Sequence, residues 1–306
     1  MSGIPKDELL PVFPDWLSDR FNLDQKLIKL LDESVVNYQG ITLPVSFETK
    51  KTIQKLEEEI CEFFTAGYEK LKTIDETRLF QWISKLVFGM IYQEISAGMR
   101  QQQAMGEPFN FSQVLIHKFS SLHFMLQSLI RPVVFEGIKP WSIKILPVKN
   151  TAETFGYRDE INTLTFSLRM NDFGIIACLQ DNGAVLNQHK EILRHVEGKT
   201  LHPLQFEELC GRFFYSSYLF NRLPEYTFLN AEDTIYVDSM PFYSINGKPL
   251  FDAWQVKTYG QVLENFWKPW GFTLFEIIKD PENPISFLTD KEGGIRDAAE
   301  IELPVY

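Results

Sequence analysis

The hydrophobic period changes once along this chain, and that change constrains the fold more than any other feature. From residue 47 to about residue 131, apolar side chains recur every three or four positions; beyond residue 141 the clearest repeat is every second position. Ile53, Leu56, Ile60, Phe63, Gly67 and Leu71 form one stripe, which predicts a helix over Phe47 to Lys72. Asp75 stands where an N-cap belongs and predicts a second helix from Glu76 to about Arg100. Asn110 and Gln113 have the spacing of a capping box before a third, ended after Ile130 by Arg131-Pro132. Charged residues are sparse between 76 and 135, so these helices are expected to be buried on more than one side.

The second half reads differently. Leu164, Phe166, Leu168 and Met170 alternate with Thr165, Ser167 and Arg169, Asn171-Asp172 makes a tight turn, and Phe173 to Leu179 returns. With a further strand over Trp141 to Val148, this predicts an antiparallel meander with one face buried and the other solvated. Leu186 to Val196 reads as a short helix stopped by Gly198, and Pro203, at the first helical position, opens a longer one through Leu219. Thr234 to Val237 reads as a strand, Phe251 to Trp267 as a helix and Phe272 to Ile278 as a last strand. Helices precede strands without strict alternation, so the expected class is α+β: a helical N-terminal half followed by an antiparallel β meander with flanking helices. The expected segments are four. Residues 1–46 form a small unit of a helix (Asp15 to Leu31) and a hairpin (Val35 to Leu43, turning at Gln39-Gly40). Residues 47–131 form a helical core. Residues 132–279 form the sheet, packed with that core as one domain. Residues 280–306 are a partly mobile tail.

Composition removes several classes of function. Lys plus Arg is 30 against 41 for Asp plus Glu, a net charge of −11 with no basic block, so neither nucleic acid nor an anionic membrane is an expected partner. The longest charge-free run, Ser34 to Phe47, contains Asn37, Gln39, Gly40 and Pro44 and is too short and polar for a transmembrane helix. No basic-then-apolar leader stands at the start, which points to a cytoplasmic protein. Cys61, Cys178 and Cys210 are widely spaced without a CxxC pair, so reduced thiols are expected rather than a zinc site. No metal site and no cofactor are expected.

Near the N-terminus, Phe13-Pro14-Asp15-Trp16-Leu17, Arg20-Phe21-Asn22-Leu23 and Ile41-Thr42-Leu43-Pro44 precede a Glu-rich helix. Together they resemble the surroundings of an HNH (His-Me finger) module, as carried by bacterial proteins that place it before a helical region. The resemblance spans about residues 4–60. In such modules an acidic residue and a catalytic His stand just before a pattern like Val12-Phe13-Pro14, and cysteine pairs hold a structural zinc. Here Leu10 and Pro11 occupy the acid and His positions, and Val45 and Ser46 stand where a cysteine pair would follow Pro44. No His occurs before His117. The resemblance therefore implies a degenerate module without its base or its zinc, retained for folding or binding.

Two readings of function remain open. The first is a non-catalytic intracellular interaction or regulatory protein with a protein or small-molecule partner. Trp267 and Trp270, flanking Lys268-Pro269 in an expected turn, are its candidate exposed recognition patch. The second is a metal-dependent hydrolase or nuclease using Arg158, Asp159, Glu160 and Asp172, strand-end carboxylates beside an arginine. It requires at least two of those carboxylates within about 5 Å of each other in a concave pocket. Asp172-Phe173-Gly174 spells the kinase metal-binding triplet but lacks a Gly-rich loop and an HRD before it, and reads as chance. His202, directly before Pro203, reads as a helix cap.

Overall fold

The computed structural model describes residues 8–301 except 31, 107, 109, 111, 151–154, 243–246, 281–283 and 291. In chain order the elements are β1 (Glu8–Pro11), α1 (Asp15–Phe21), β2 (Leu27–Lys29), β3 (Val35–Asn37), β4 (Thr42–Val45), α2 (Phe47–Ala66), α3 (Tyr68–Leu71), α4 (Glu76–Met105), α5 (Gln113–Met125), β5 (Val133–Glu136), β6 (Ser142–Pro147), β7 (Gly156–Glu160), β8 (Thr165–Met170), β9 (Phe173–Cys178), α6 (Ala184–Gln188), α7 (Lys190–Val196), α8 (Pro203–Leu219), β10 (Tyr226–Ala231), β11 (Thr234–Ser239), α9 (Val256–Trp267) and α10 (Leu274–Ile277). The fold is α+β, with most helix in the first half and an antiparallel four-stranded sheet later. Among the described residues, no helix is long and apolar enough to cross a membrane. The chain divides into two compact units: residues 1–137 with 225–239, and residues 138–224 with 240–306.

The first unit is organised around α4. Asp75 caps it, accepting from the backbone N–H groups of Thr77 and Arg78. Its Lys85 is only 2% exposed and donates to the carbonyls of Pro11 (2.8 Å) and Val12 (2.6 Å) and to Glu57 Oε1 (2.6 Å). One ammonium with three donors thus fixes the β1–α1 connection to α2 and α4. Gly89 one turn further admits Val12; a Cβ there would lie 2.4 Å from its methyl carbon. A three-stranded sheet, in the order β10-β11-β5, completes this unit.

Three expectations for the N-terminal segments are corrected. The helix predicted from Asp15 to Leu31 ends at Phe21, because Asn22 takes the left-handed conformation (φ 49°), which Asn tolerates better than most residues; Leu31 lies outside the described residues. The hairpin predicted over Val35–Leu43 does not form. β3 pairs instead with β2 and β4 with β1, and the Asn37 side chain turns Tyr38–Gly40 into a 3-10 helix by accepting from Gly40 N–H. The third predicted helix begins at Gln113 after Ser112, without an Asn110 capping box, and gives way to a 3-10 turn at Leu126–Leu129.

The second unit holds the sheet, in the order β6-β9-β8-β7, all antiparallel. Turn residue Asn171 (φ 52°) joins β8 to β9 as predicted. The predicted solvated face is absent: every residue of β8 and β9 is buried. Ser167 and Arg169 lie under α8 rather than in water, because Cys210 and Glu207 on that helix supply matching polar groups, and the buried Thr165 hydroxyl bonds with Thr163 Oγ1 (2.9 Å). Phe206 of α8 sits directly over Gly174, where a Cβ would lie 2.2 Å from the ring. The glycine of the Asp172-Phe173-Gly174 triplet is therefore a packing glycine. The strand predicted over Phe272–Ile278 is the short helix α10, started by a capping box between Thr273 and Glu276. Gly174→Ala is expected to cost about 2 kcal/mol of stability by overpacking, with Phe206→Leu in the same chain recovering part of it; urea unfolding of the two variants checks this.

Candidate functional site

Helix α8 carries two buried carboxylates of the second unit, Glu207 and Glu208. It starts as the sequence predicts: His202 Nδ1 accepts from Leu204 N–H at 3.2 Å and Gln205 accepts from His202 N–H at 2.9 Å. The next two carboxylates turn inward. Glu207, 6% exposed, lies between Arg169 (Nε–Oε1 3.4 Å) and Arg158 (Nε–Oε2 3.8 Å). Burial raises its pKa, and the two guanidiniums oppose that rise. Glu208 is fully buried and holds the segment after α10: Oε2 accepts from the N–H groups of Phe287 (2.7 Å) and Leu288 (3.0 Å), Oε1 from Ser286 Oγ (2.8 Å) and Arg212 (3.0 Å). Cys210 is buried beside Glu207; desolvation first, then that negative charge, pushes its thiol well up, the opposite of a nucleophile's requirement.

The four sequence candidates for metal chemistry are not gathered into one place. Arg158, Asp159 and Glu160 lie within β7, not before a strand. Arg158 pairs with Ser167 and Asp159 with Phe166, so Asp159 projects from the opposite face to Arg158 and Glu160. Arg158 stacks 4.6 Å over the Phe266 ring and donates to the carbonyls of Asn265 and Phe266, tying β7 to α9. Glu160 accepts from Asn162 in the following turn. Asp172 stands at the other end of β8, six residues beyond Phe166 and so roughly 20 Å from Asp159. Among the described residues, no group of three or more His, Cys, Asp and Glu is placed to hold a metal ion. Trp267 is not an exposed recognition residue. It is fully buried, donates from Nε1 to the Leu204 carbonyl (3.2 Å) and packs edge-on to Phe287, because α9 turns its apolar face to α8. Trp270 is half-buried against the same core.

Two further buried groups position α6 and α7 beside β6. Asp181 accepts from Ser142 Oγ at 2.6 Å and from the N–H groups of Val185 (2.8 Å) and Gly183 (3.3 Å), joining the start of α6 to the start of β6. Burial pushes its pKa up to about 6. His189, between α6 and α7, places Nε2 2.7 Å from Ser216 Oγ and 3.2 Å from the Arg212 carbonyl. Burial, reinforced by the Arg212 charge, lowers its pKa to about 4. Ser216 is 1% exposed, out of reach of a substrate, so this pair acts as a tether between α8 and the α6–α7 junction.

The tethers leave a cleft of about 350 Å3 between β6 and the α6–α7 pair. Ile143, Leu186 and Leu193 contribute apolar lining, and Lys144, Lys190 and Arg194 line it with one acid, Glu197. Among the described residues, none of the three cations forms an ion pair. No motif in the sequence singles out these residues. The available signals were Lys190 and Arg194 four apart on a helix face, and Lys144 as the lone charge in Trp141–Val148. Comparison of the chain with family models, with curated proteins and with solved structures finds no match.

Asp181 and His189 make opposite contributions to stability with pH. The raised Asp181 pKa gives a contribution that is complete below about pH 3.8 and lost as pH rises through about 6. The lowered His189 pKa gives one that is complete above about pH 6.5 and lost as pH falls through about 4. Each is worth about 3 kcal/mol. In urea unfolding between pH 4 and 7, the stability difference between wild type and Asp181→Asn should shift toward wild type on acidification. The difference from His189→Gln should shift the other way.

Proposed function

We propose that this chain is a non-catalytic, cytoplasmic interaction protein that binds its partner in the cleft beside β6. The observation that carries the reading is the contrast between two sets of charges. The buried acids and bases of the second unit are committed to holding elements together: Glu207 to two arginines, Glu208 to a backbone turn, Asp181 to the start of α6. Lys144, Lys190 and Arg194 instead line an open, partly apolar cleft without ion partners among the described residues. Cations held over apolar surface recognise a ligand that is anionic and partly apolar. The three free thiols fit a reducing cytoplasm. The segment that resembles an HNH module fits a scaffold role, since Lys85 grips the carbonyls of Pro11 and Val12 where the catalytic His would otherwise stand.

The reading is tested by titrating chelator-treated protein with Mg2+, Mn2+, Zn2+ and Ca2+ and following thermal unfolding. The expected outcome is an unchanged Tm with every ion. A rise in Tm that disappears in Asp159→Ala or Asp172→Ala overturns the non-catalytic reading.

A further inference from the structure

The order β6-β9-β8-β7 makes β6 an edge strand. Which of its backbone groups are free follows from the register. Val148 N–H donates to the Asp172 carbonyl, so Val148 faces β9, as do Leu146, Lys144 and Ser142 at steps of two. Pro147, Ile145 and Ile143 then direct their backbone polar groups outward. The chain confirms this alternation itself: Leu201 N–H donates to the outward carbonyl of Pro147 at 2.9 Å, and Lys149 N–H donates to Leu201 at 2.7 Å. One residue, Leu201, thus already pairs with the C-terminal end of this edge. Among the described residues, nothing bonds to the outward groups of Ile143 and Ile145. Ile143 is also a wall of the cationic cleft.

We propose that the cleft takes an extended acidic segment of a partner protein, which adds as a strand to the free edge of β6 and sets its carboxylates against Lys144, Lys190 and Arg194. This rests on the cleft being the binding site and adds the chemistry and backbone geometry of its occupant. Strand addition satisfies the N–H and C=O groups of Ile143 and Ile145, which supplies affinity; the side-chain surroundings supply selection. Three cations against Glu197 leave a local excess of positive charge on a chain whose net charge is −11. That field draws in carboxylates and repels other basic segments. Successive side chains of an added strand point to opposite faces. Lys144 shares its face with Ile176, while Ile143 projects to the other face with Ala177. The fitting segment therefore alternates, with acids on the Lys144 side and apolar residues on the Ile143 side. A nucleic acid matches this site less well. Its backbone offers no strand partner for Ile143 and Ile145, and the net charge opposes a long polyanion.

The test uses the full chain and a fluorescein-labelled, capped peptide of about six alternating Glu and Val residues, with binding read by anisotropy. Four comparisons accompany it: the same peptide N-methylated at alternate positions in each of its two phases, a Lys–Val peptide, a single-stranded oligothymidylate, and the variant Lys190→Glu/Arg194→Glu. These two side chains are exposed, so the variant's Tm should match wild type. The Glu–Val peptide should bind, N-methylation in one phase should weaken it about tenfold or more, and the charge reversal should do the same. The Lys–Val peptide should not bind. Equal binding by both N-methylated peptides overturns strand addition while the cleft reading stands. Unchanged binding to the charge-reversed protein, or no binding of any acidic peptide, overturns the cleft reading itself. Tighter binding of the oligothymidylate, lost on charge reversal, assigns the cleft to nucleic acid and overturns the peptide proposal.

Discussion

The burial of a polar sheet face beneath α8 is the constraint on which the second unit depends. Thr165, Ser167 and Arg169 on β8 have left water, Arg158 on β7 is half-buried beside them, and the buried charge needs a partner inside. Glu207 answers both arginines. Removing Arg169 or Glu207 leaves a buried charge uncompensated and costs about 3–5 kcal/mol, whereas exchanging the buried pair for apolar residues is often neutral or stabilising. What the triad supplies is register: α8 fits this face in one position, with Phe206 over Gly174 and Glu207 between two guanidiniums.

The cleft follows from that placement. With α8 fixed, Ser216 and the Arg212 carbonyl fix His189, and Asp181 fixes the first turn of α6 against Ser142. Helices α6 and α7 therefore stand beside the edge of β6 at a set distance, and the open space is a consequence of buried hydrogen bonds rather than of loose packing. The tethered elements hold the backbone positions of Lys144, Lys190 and Arg194 in a fixed arrangement.

Some of this was legible in the sequence. Helix α8 was readable from His202-Pro203 to Leu219 because its cap is local. The alternation in β8 announced a strand, but Thr165, Ser167 and Arg169 read as solvent-facing because their partner, Glu207, is 38 residues from Arg169 along the chain. Strand β7 was unreadable, since Gly156-Tyr157-Arg158-Asp159-Glu160 has no apolar alternation and is held by pairing with β8. The pairing of the N-terminal strands is not encoded locally, because β1–β4 is a long-range contact while the local pattern favours a hairpin. The cleft was invisible for a similar reason: whether Lys144 lies on an edge or inside a sheet depends on strand order, which residue spacing does not encode.

Hydrogen exchange of the individual backbone amides, with and without the Glu–Val peptide, tests most directly whether the edge of β6 is the recognition surface. The result expected is slower exchange at the Ile143 and Ile145 amides, with Ser142 and Lys144, already bonded to β9, little changed. Unaltered exchange at Ile143 and Ile145 in the presence of saturating peptide, or protection confined to another surface, would contradict it.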